Sequence, residues 1–113
     1  MLVASLAVFT LVAAMGLMVV RDVWRGRPID PVYPKIHAAA ALLGSLFVIL
    51  VALDGDTRLY TNIGMAVVII GLGVMMALYS RKGKRVPQKL VAAHVALAVS
   101  CYVILAYYAF TSR

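Results

Sequence analysis

The chain has 113 residues, 65% of them apolar and 13% charged, against a usual apolar share of ~45–50% in soluble domains. That composition leaves room for one domain and for almost no soluble module. The net charge of +7 does not point to nucleic acid, because the basic residues sit in short clusters between apolar runs, where topology-setting charge is expected.

Four uncharged apolar runs of about 18 to 22 residues can be marked off, and a membrane span needs ~20 because the hydrocarbon core is ~30 Å thick. The expected fold is all-α: one integral-membrane four-helix domain over residues 1–113, an up-down-up-down bundle with spans at about 2–20, 35–53, 59–80 and 89–110. No basic residue precedes the first run, and no small-residue cleavage site leads into a soluble domain. We therefore read it as a retained helix and not a signal peptide. Ala13, Ala14 and Gly16 near its end are small enough to let neighbours approach.

The first loop, RDVWRGRPIDPVYPK, carries Arg21, Arg25, Arg27 and Lys35 against Asp22 and Asp30. Pro28, Pro31 and Pro34 hold it extended. Trp24 and Tyr33 suit a membrane interface, and Pro34 suits the first turn of the next helix. Span two then carries His37, with Ala40, Ala41 and Gly44 at helical spacing on the same face. The turn DGDTR, residues 54–58, joins spans two and three as an antiparallel hairpin.

In span three, Gly64 and Gly71 lie seven apart on one face, and Gly73 with Ala77 forms a small-xxx-small pair. Asn62 is placed near the outer end, where water or a cap satisfies it. The third loop, RKGKRVPQK, carries Arg81, Lys82, Lys84, Arg85 and Lys89. Span four carries His94 and Cys101 and ends in the aromatic cluster Tyr107, Tyr108 and Phe110. No internal repeat is convincing by inspection.

Orientation follows from counting. The first and third loops hold nine of the eleven basic residues, so both are expected on the cytoplasmic side, with both termini outside. The expected location is an integral position in a prokaryotic inner or plasma membrane.

The chain has one cysteine and no CxxC or CxxCH. Covalent c-type haem attachment and thiol redox chemistry have no support, and Cys101 reads as a packing residue. No acidic residue lies at the depth of either histidine, and no HExxH, P-loop or dinucleotide fingerprint occurs. A stand-alone enzyme is not indicated.

The two histidines are the chemistry-bearing residues. Intramembrane ionisable groups are costly and usually functional; that weighs more for His94, two turns inside its span, than for His37, one turn inside. Counted from Pro34 and Pro87, they are offset by four residues, roughly 6 Å along the axis. Spans two and four are diagonal neighbours in an up-down bundle, so two inward imidazoles can share one centre. A flat group between them would need small neighbours, and small residues gather at this depth: Ala13, Ala14 and Gly16; Ala38, Ala39, Ala40, Ala41 and Gly44; Gly71, Gly73 and Ala77; Ala92, Ala93 and Ala96. Gly44, Gly71, Ala41 and Ala98 are the expected lining residues. An i−4 carbonyl on each helix is the expected acceptor for the second ring nitrogen.

The segments KIHAAAALLG, 35–44, and KLVAAHVALA, 89–98, put two histidines on co-directional helices, beside small residues and near basic ones. This arrangement resembles the transmembrane four-helix b-type cytochromes. The resemblance implies one haem b with His37 and His94 as axial ligands, and an electron carrier or redox-complex subunit. Di-haem members of the cytochrome b561 group need four histidines, and this chain has two. Lys35, Arg81, Lys82, Lys84 or Arg85 would then pair with the propionates. The expected partners are membrane lipid and a quinone or redox protein complex, in a homo- or hetero-oligomer, with no nucleic acid. Two other classes stand beside this one. One is a structural or pigment-ligating subunit of a larger membrane assembly. The other is a small multidrug-type transporter, which the absence of any acidic residue in the first span disfavours.

Overall fold

A computed structural model describes residues 2–26 and 32–111. Arg27, Pro28, Asp30, Pro31 and Arg113, which the sequence places in loops or at the end, lie outside the described residues. The fold is all-α. Its helices are α1 (Leu2–Trp24), α2 (Val32–Leu53), α3 (Leu59–Arg81) and α4 (Gln88–Ala109). All four are long and apolar enough to cross a membrane, and the molecule measures 45 × 19 × 18 Å.

The helices form a ring. α1 packs on α2, α2 on α3, α3 on α4, and α4 closes onto α1; the backbones of the diagonal pairs stay apart. The outside of the ring is apolar. Val3, Leu11, Leu17, Leu42, Leu46, Val67, Val74, Val99 and Val103 are all exposed. In water such a surface would drive aggregation, whereas against lipid tails it costs nothing.

Helix ends are set by local chemistry. Gly26, Gly55 and Gly83 have φ of 66°, 118° and 70°, in a region that side chains with a Cβ rarely adopt. Around Gly83 the closing bonds are complete: Gly83 N–H donates to the Ser80 carbonyl and Lys84 N–H to the Tyr79 carbonyl, the paired arrangement that terminates a helix at glycine. Gly55 closes α2 in the same way, through Ala52 and Val51. At the other end of α4, Pro87 is extended and precedes the first helical residue.

Two boundaries differ from expectation, and both matter for the site. α1 continues through Arg21 and Asp22 to Trp24, because nothing in that stretch breaks a helix before Gly26. α2 is already helical at Val32, so Pro34 falls inside the first turn, where an absent N–H is still harmless.

The tight core sits at one end. Val48, Val51, Ala52, Leu59 and Leu105 are buried there, with Leu2, Leu6, Phe9, Ile63 and Tyr108 packed against them. Gly44 lets the Phe9 ring lie against α2; a Cβ there would stand 2.9 Å from the ring. The turn between α2 and α3 is clamped at this end. Arg58 makes a two-pronged ion pair with buried Asp56, with both N···O distances 2.9 Å. It also donates to the Tyr108 carbonyl and Thr111 Oγ1 and lies over the Tyr108 ring. The hydrogen bond to Asp56 raises the Arg58 pKa above its ordinary value.

Candidate functional site: a paired imidazole inside the ring

At the other end the bundle is looser, and the two histidines meet there. Counted from the first helical residue, His37 is the sixth of α2 and His94 the seventh of α4. The expected four-residue offset therefore shrinks to one, roughly 1.5 Å of rise. Counting from Pro34 misjudged the depth because α2 begins before that proline. The two rings lie 6.3 Å apart, centre to centre, inclined at 56°. Both are half-buried.

Each ring is held by the helix that precedes it. His37 Nδ1 is 2.9 Å from the Val12 carbonyl of α1. His94 Nδ1 is 3.0 Å from the Ile69 carbonyl of α3. A carbonyl only accepts, so in each ring Nδ1 carries the proton and donates it, which leaves the Nε2 lone pair bare. The expected i−4 carbonyl of the same helix is thus replaced by a neighbour's. A histidine side chain leaning across a helix–helix contact cannot also fold back along its own turn.

Of the small residues expected at this depth, Gly16 and Gly73 are the glycines that meet the rings. A Cβ on Gly16 would come within 3.1 Å of His37 Cε1, and one on Gly73 within 3.3 Å of His94 Cε1. Gly44 instead lies under Phe9, and Gly71 faces open space on the exposed surface. Neither lines the histidine pair. Gly64, seven residues before Gly71 on the same face, likewise meets nothing within 4 Å. Ala41 and Ala98 lie one turn beyond the histidines on the same face and are half-buried. Most of the other small residues expected here, including Ala13, Ala14, Ala38, Ala77, Ala92 and Ala93, point outward. A helix turning ~100° per residue cannot face a whole run of alanines inward.

These contacts expose a repeat that inspection of the sequence misses. Each carbonyl-to-histidine bond spans 25 residues. The buried polar residues near the core behave alike. Ser5 Oγ donates to the Gly44 carbonyl and Asn62 Nδ2 to the Cys101 carbonyl, each across 39 residues. Val12 and Ile69, Gly16 and Gly73, Gly26 and Gly83, His37 and His94, Ser5 and Asn62, and Gly44 and Cys101 are all 57 residues apart. The α1–α2 pair and the α3–α4 pair are thus two copies of one unit, and the two histidines are equivalent positions. Few positions outside the set are identical, since any apolar residue satisfies a lipid-facing site. The two histidines at that spacing, with a glycine 21 residues before each, were the available signal. Asn62, expected to be wet, is buried in this network.

Among the described residues no cluster of three or more His, Cys, Asp or Glu side chains is placed to hold a metal ion. The two imidazoles are the donors that the described residues bring together at this centre. The fold and site define a class: an all-α chain of four membrane-length helices, in two repeated pairs, with two imidazoles 6.3 Å apart between them. No protein family matches the chain, and no curated protein or solved structure matches it either.

Proposed function

We propose that the chain is a membrane b-type cytochrome or cytochrome subunit that binds one haem b between His37 and His94. The observation that carries this reading is the ring spacing. A metal–imidazole bond of ~2 Å on each side, plus ~1 Å from each nitrogen to its ring centre, gives about 6 Å between centres. The observed separation is 6.3 Å. The donor chemistry agrees. Both Nδ1 atoms are occupied by backbone carbonyls, so both Nε2 atoms are available as neutral ligands. Two ligands under-coordinate a bare ion, which ordinarily takes four or more; a macrocycle brings its own equatorial donors.

When bound, the haem supplies reversible one-electron chemistry at iron. The chain's own residues set its surroundings. The Val12 and Ile69 carbonyls fix the tautomer and raise the basicity of each ring. Gly16 and Gly73 leave room for the rings. The cationic residues Lys35, Arg81, Lys82, Lys84 and Arg85 are candidates for the propionates at the histidine end.

This reading takes the bundle as up-down-up-down, with the basic loops cytoplasmic and both termini outside. Two observations support it. The core cluster at one end draws on the starts of α1 and α3 and the ends of α2 and α4. The basic residues gather at the opposite end. A carrier with one haem in one half of the bilayer suits a subunit or relay working with a quinone or a redox protein on that side.

The test is the absorption spectrum. Purified protein, or protein reconstituted with haem, should show a Soret band that shifts and sharpens on reduction with dithionite. Because the two histidines occupy equivalent positions, His37→Ala and His94→Ala should each convert the centre to a five-coordinate or haem-free form to a similar degree. A protein that stays colourless with haem present removes the reading and leaves a structural subunit.

A further inference from the structure

The repeat is not exact, and one departure from it borders a cavity. Between α2 and α3 lies an almost wholly apolar cavity of about 310 Å³. Its walls include Ser45, Asn62 and Ala66, and Leu42, Leu46 and Val67 at its mouth are exposed on the lipid-facing surface. The equivalent seam, 57 residues removed, is the contact of α4 with α1. There the position of Ser45 is taken by Tyr102; Phe9, the counterpart of Ala66, instead lies on Gly44 and forms part of the wall of this cavity. Tyr102 reaches across that seam, with its hydroxyl 2.7 Å from Thr10 Oγ1. One seam is thus bridged by the protein's own Tyr102 ring, while the other has a serine in its place.

The cavity also borders an unsatisfied group. Asn62 is 3% exposed. Its Nδ2 donates to the Cys101 carbonyl at 3.0 Å, which fixes the orientation of the amide, because a carbonyl cannot pair with Oδ1. That leaves Oδ1 as a buried acceptor with no partner. Such groups are rare and call for a reason. The equivalent Ser5 leaves nothing unmatched, since its hydroxyl donates to the Gly44 carbonyl.

We propose that this cavity binds a membrane-soluble phenol: an aromatic ring seated beside Ser45, with its O–H donated to Asn62 Oδ1. A modest turn about the soft terminal torsion of Asn62 brings Oδ1 to the incoming hydroxyl. The ring enters from the lipid side between Leu42, Leu46 and Val67. Both halves of the argument select the same chemistry. The missing ring sets an aromatic body, and the unpaired acceptor sets a single donor. The site lies about two turns of α4 from His94, at the level of Cys101, and does not depend on the haem reading.

The experiment uses the full chain in detergent micelles, with 4-fluorophenol as ligand, fluorobenzene as the hydroxyl-free control, and fluorine NMR as readout. Affinities are referred to the concentration dissolved in the micelle. The phenol should bind saturably and about five- to tenfold tighter than fluorobenzene, the ratio expected of one net hydrogen bond. Asn62→Leu should erase that preference. Ser45→Tyr, which restores the ring of the other seam and leaves Asn62 in place, should abolish binding of both compounds while helicity and thermal stability are retained. Equal affinity for the two compounds overturns the proposal, as does unchanged binding in Ser45→Tyr. So does an absence of saturable binding, the result of a cavity that takes only acyl chains.

Discussion

Gly16 and Gly73 offer the most direct probe of how the imidazoles are held, through alanine substitutions compared with Gly71→Ala. At Gly71 a Cβ meets nothing within 4 Å, so only helix propensity changes. Alanine there should stabilise the chain by up to ~1 kcal/mol. At Gly16 the same methyl would stand 3.1 Å from His37 Cε1, and at Gly73 3.3 Å from His94 Cε1. Ordinary contact begins near 3.4 Å, so each ring must move by a few tenths of an ångström. Each is tied at Nδ1 to a carbonyl on the same helix as its glycine, and movement away from the glycine stretches that bond. An overpacking cost of ~1–3 kcal/mol then offsets the propensity gain. Gly16→Ala should therefore lie ~1–3 kcal/mol below Gly71→Ala, with Gly73→Ala between them. The assay is reversible denaturant unfolding in micelles followed by far-UV circular dichroism, without haem. A second readout is the imidazole Nδ1–H resonance, which should shift at His37 in the first variant and at His94 in the second. If Gly16→Ala and Gly71→Ala are equally stable, with the His37 resonance unmoved, His37 does not lie against α1 and the site geometry is wrong.

Three further outcomes are expected. Ser5→Ala and Asn62→Ala each remove a buried interhelical hydrogen bond and should cost ~0.6–1.7 kcal/mol, with nearly additive effects in the double variant. Additivity is read from the same unfolding curves, and a strong coupling between the two would contradict their placement in separate seams. Asp56→Asn leaves Arg58 with a neutral partner and should lower the midpoint of thermal unfolding, with amide exchange rising first in the 54–58 turn and near Tyr108; protection unchanged at Tyr108 would show that the clamp does not hold that end. Tyr102→Phe keeps the ring and loses the hydroxyl contact with Thr10, so it should change stability little, whereas Tyr102→Ser should open the α1–α4 seam and admit the same aromatic probe as the cavity across the ring.

The histidine pair shows how local rules and tertiary geometry divide the work. That His37 and His94 belong to apolar, span-length helices was legible from composition, since no other structure satisfies so many backbone groups in lipid. Their common depth was legible in part, and the error came from one local rule. A proline is tolerated throughout the first turn, so Pro34 stands inside α2 while Pro87 precedes α4, and the two do not mark the same depth. The acceptors of the ring nitrogens could not be read at all. Val12 and Ile69 are ordinary apolar residues, and their role lies in main-chain carbonyls whose availability depends on a neighbouring helix.

The glycines divide in the same way. Small residues are legible one by one, but which of them faces a partner depends on helix rotation. The hydrophobic pattern hardly constrains rotation when every face is apolar. Gly71 therefore turns outward, Gly44 serves Phe9, and Gly16 and Gly73 receive the imidazoles. The sequence by itself determined four membrane-length helices, the tight turn at Asp54–Arg58, and basic residues gathered at the histidine end, because length, polarity and charge act locally. Only the tertiary structure decided that the two helix pairs repeat one another, that two imidazoles meet inside the ring, and that Tyr102 bridges one seam while a cavity opens at its equivalent. Those features are relations between faces, and an all-apolar helix does not announce its faces in its order of residues.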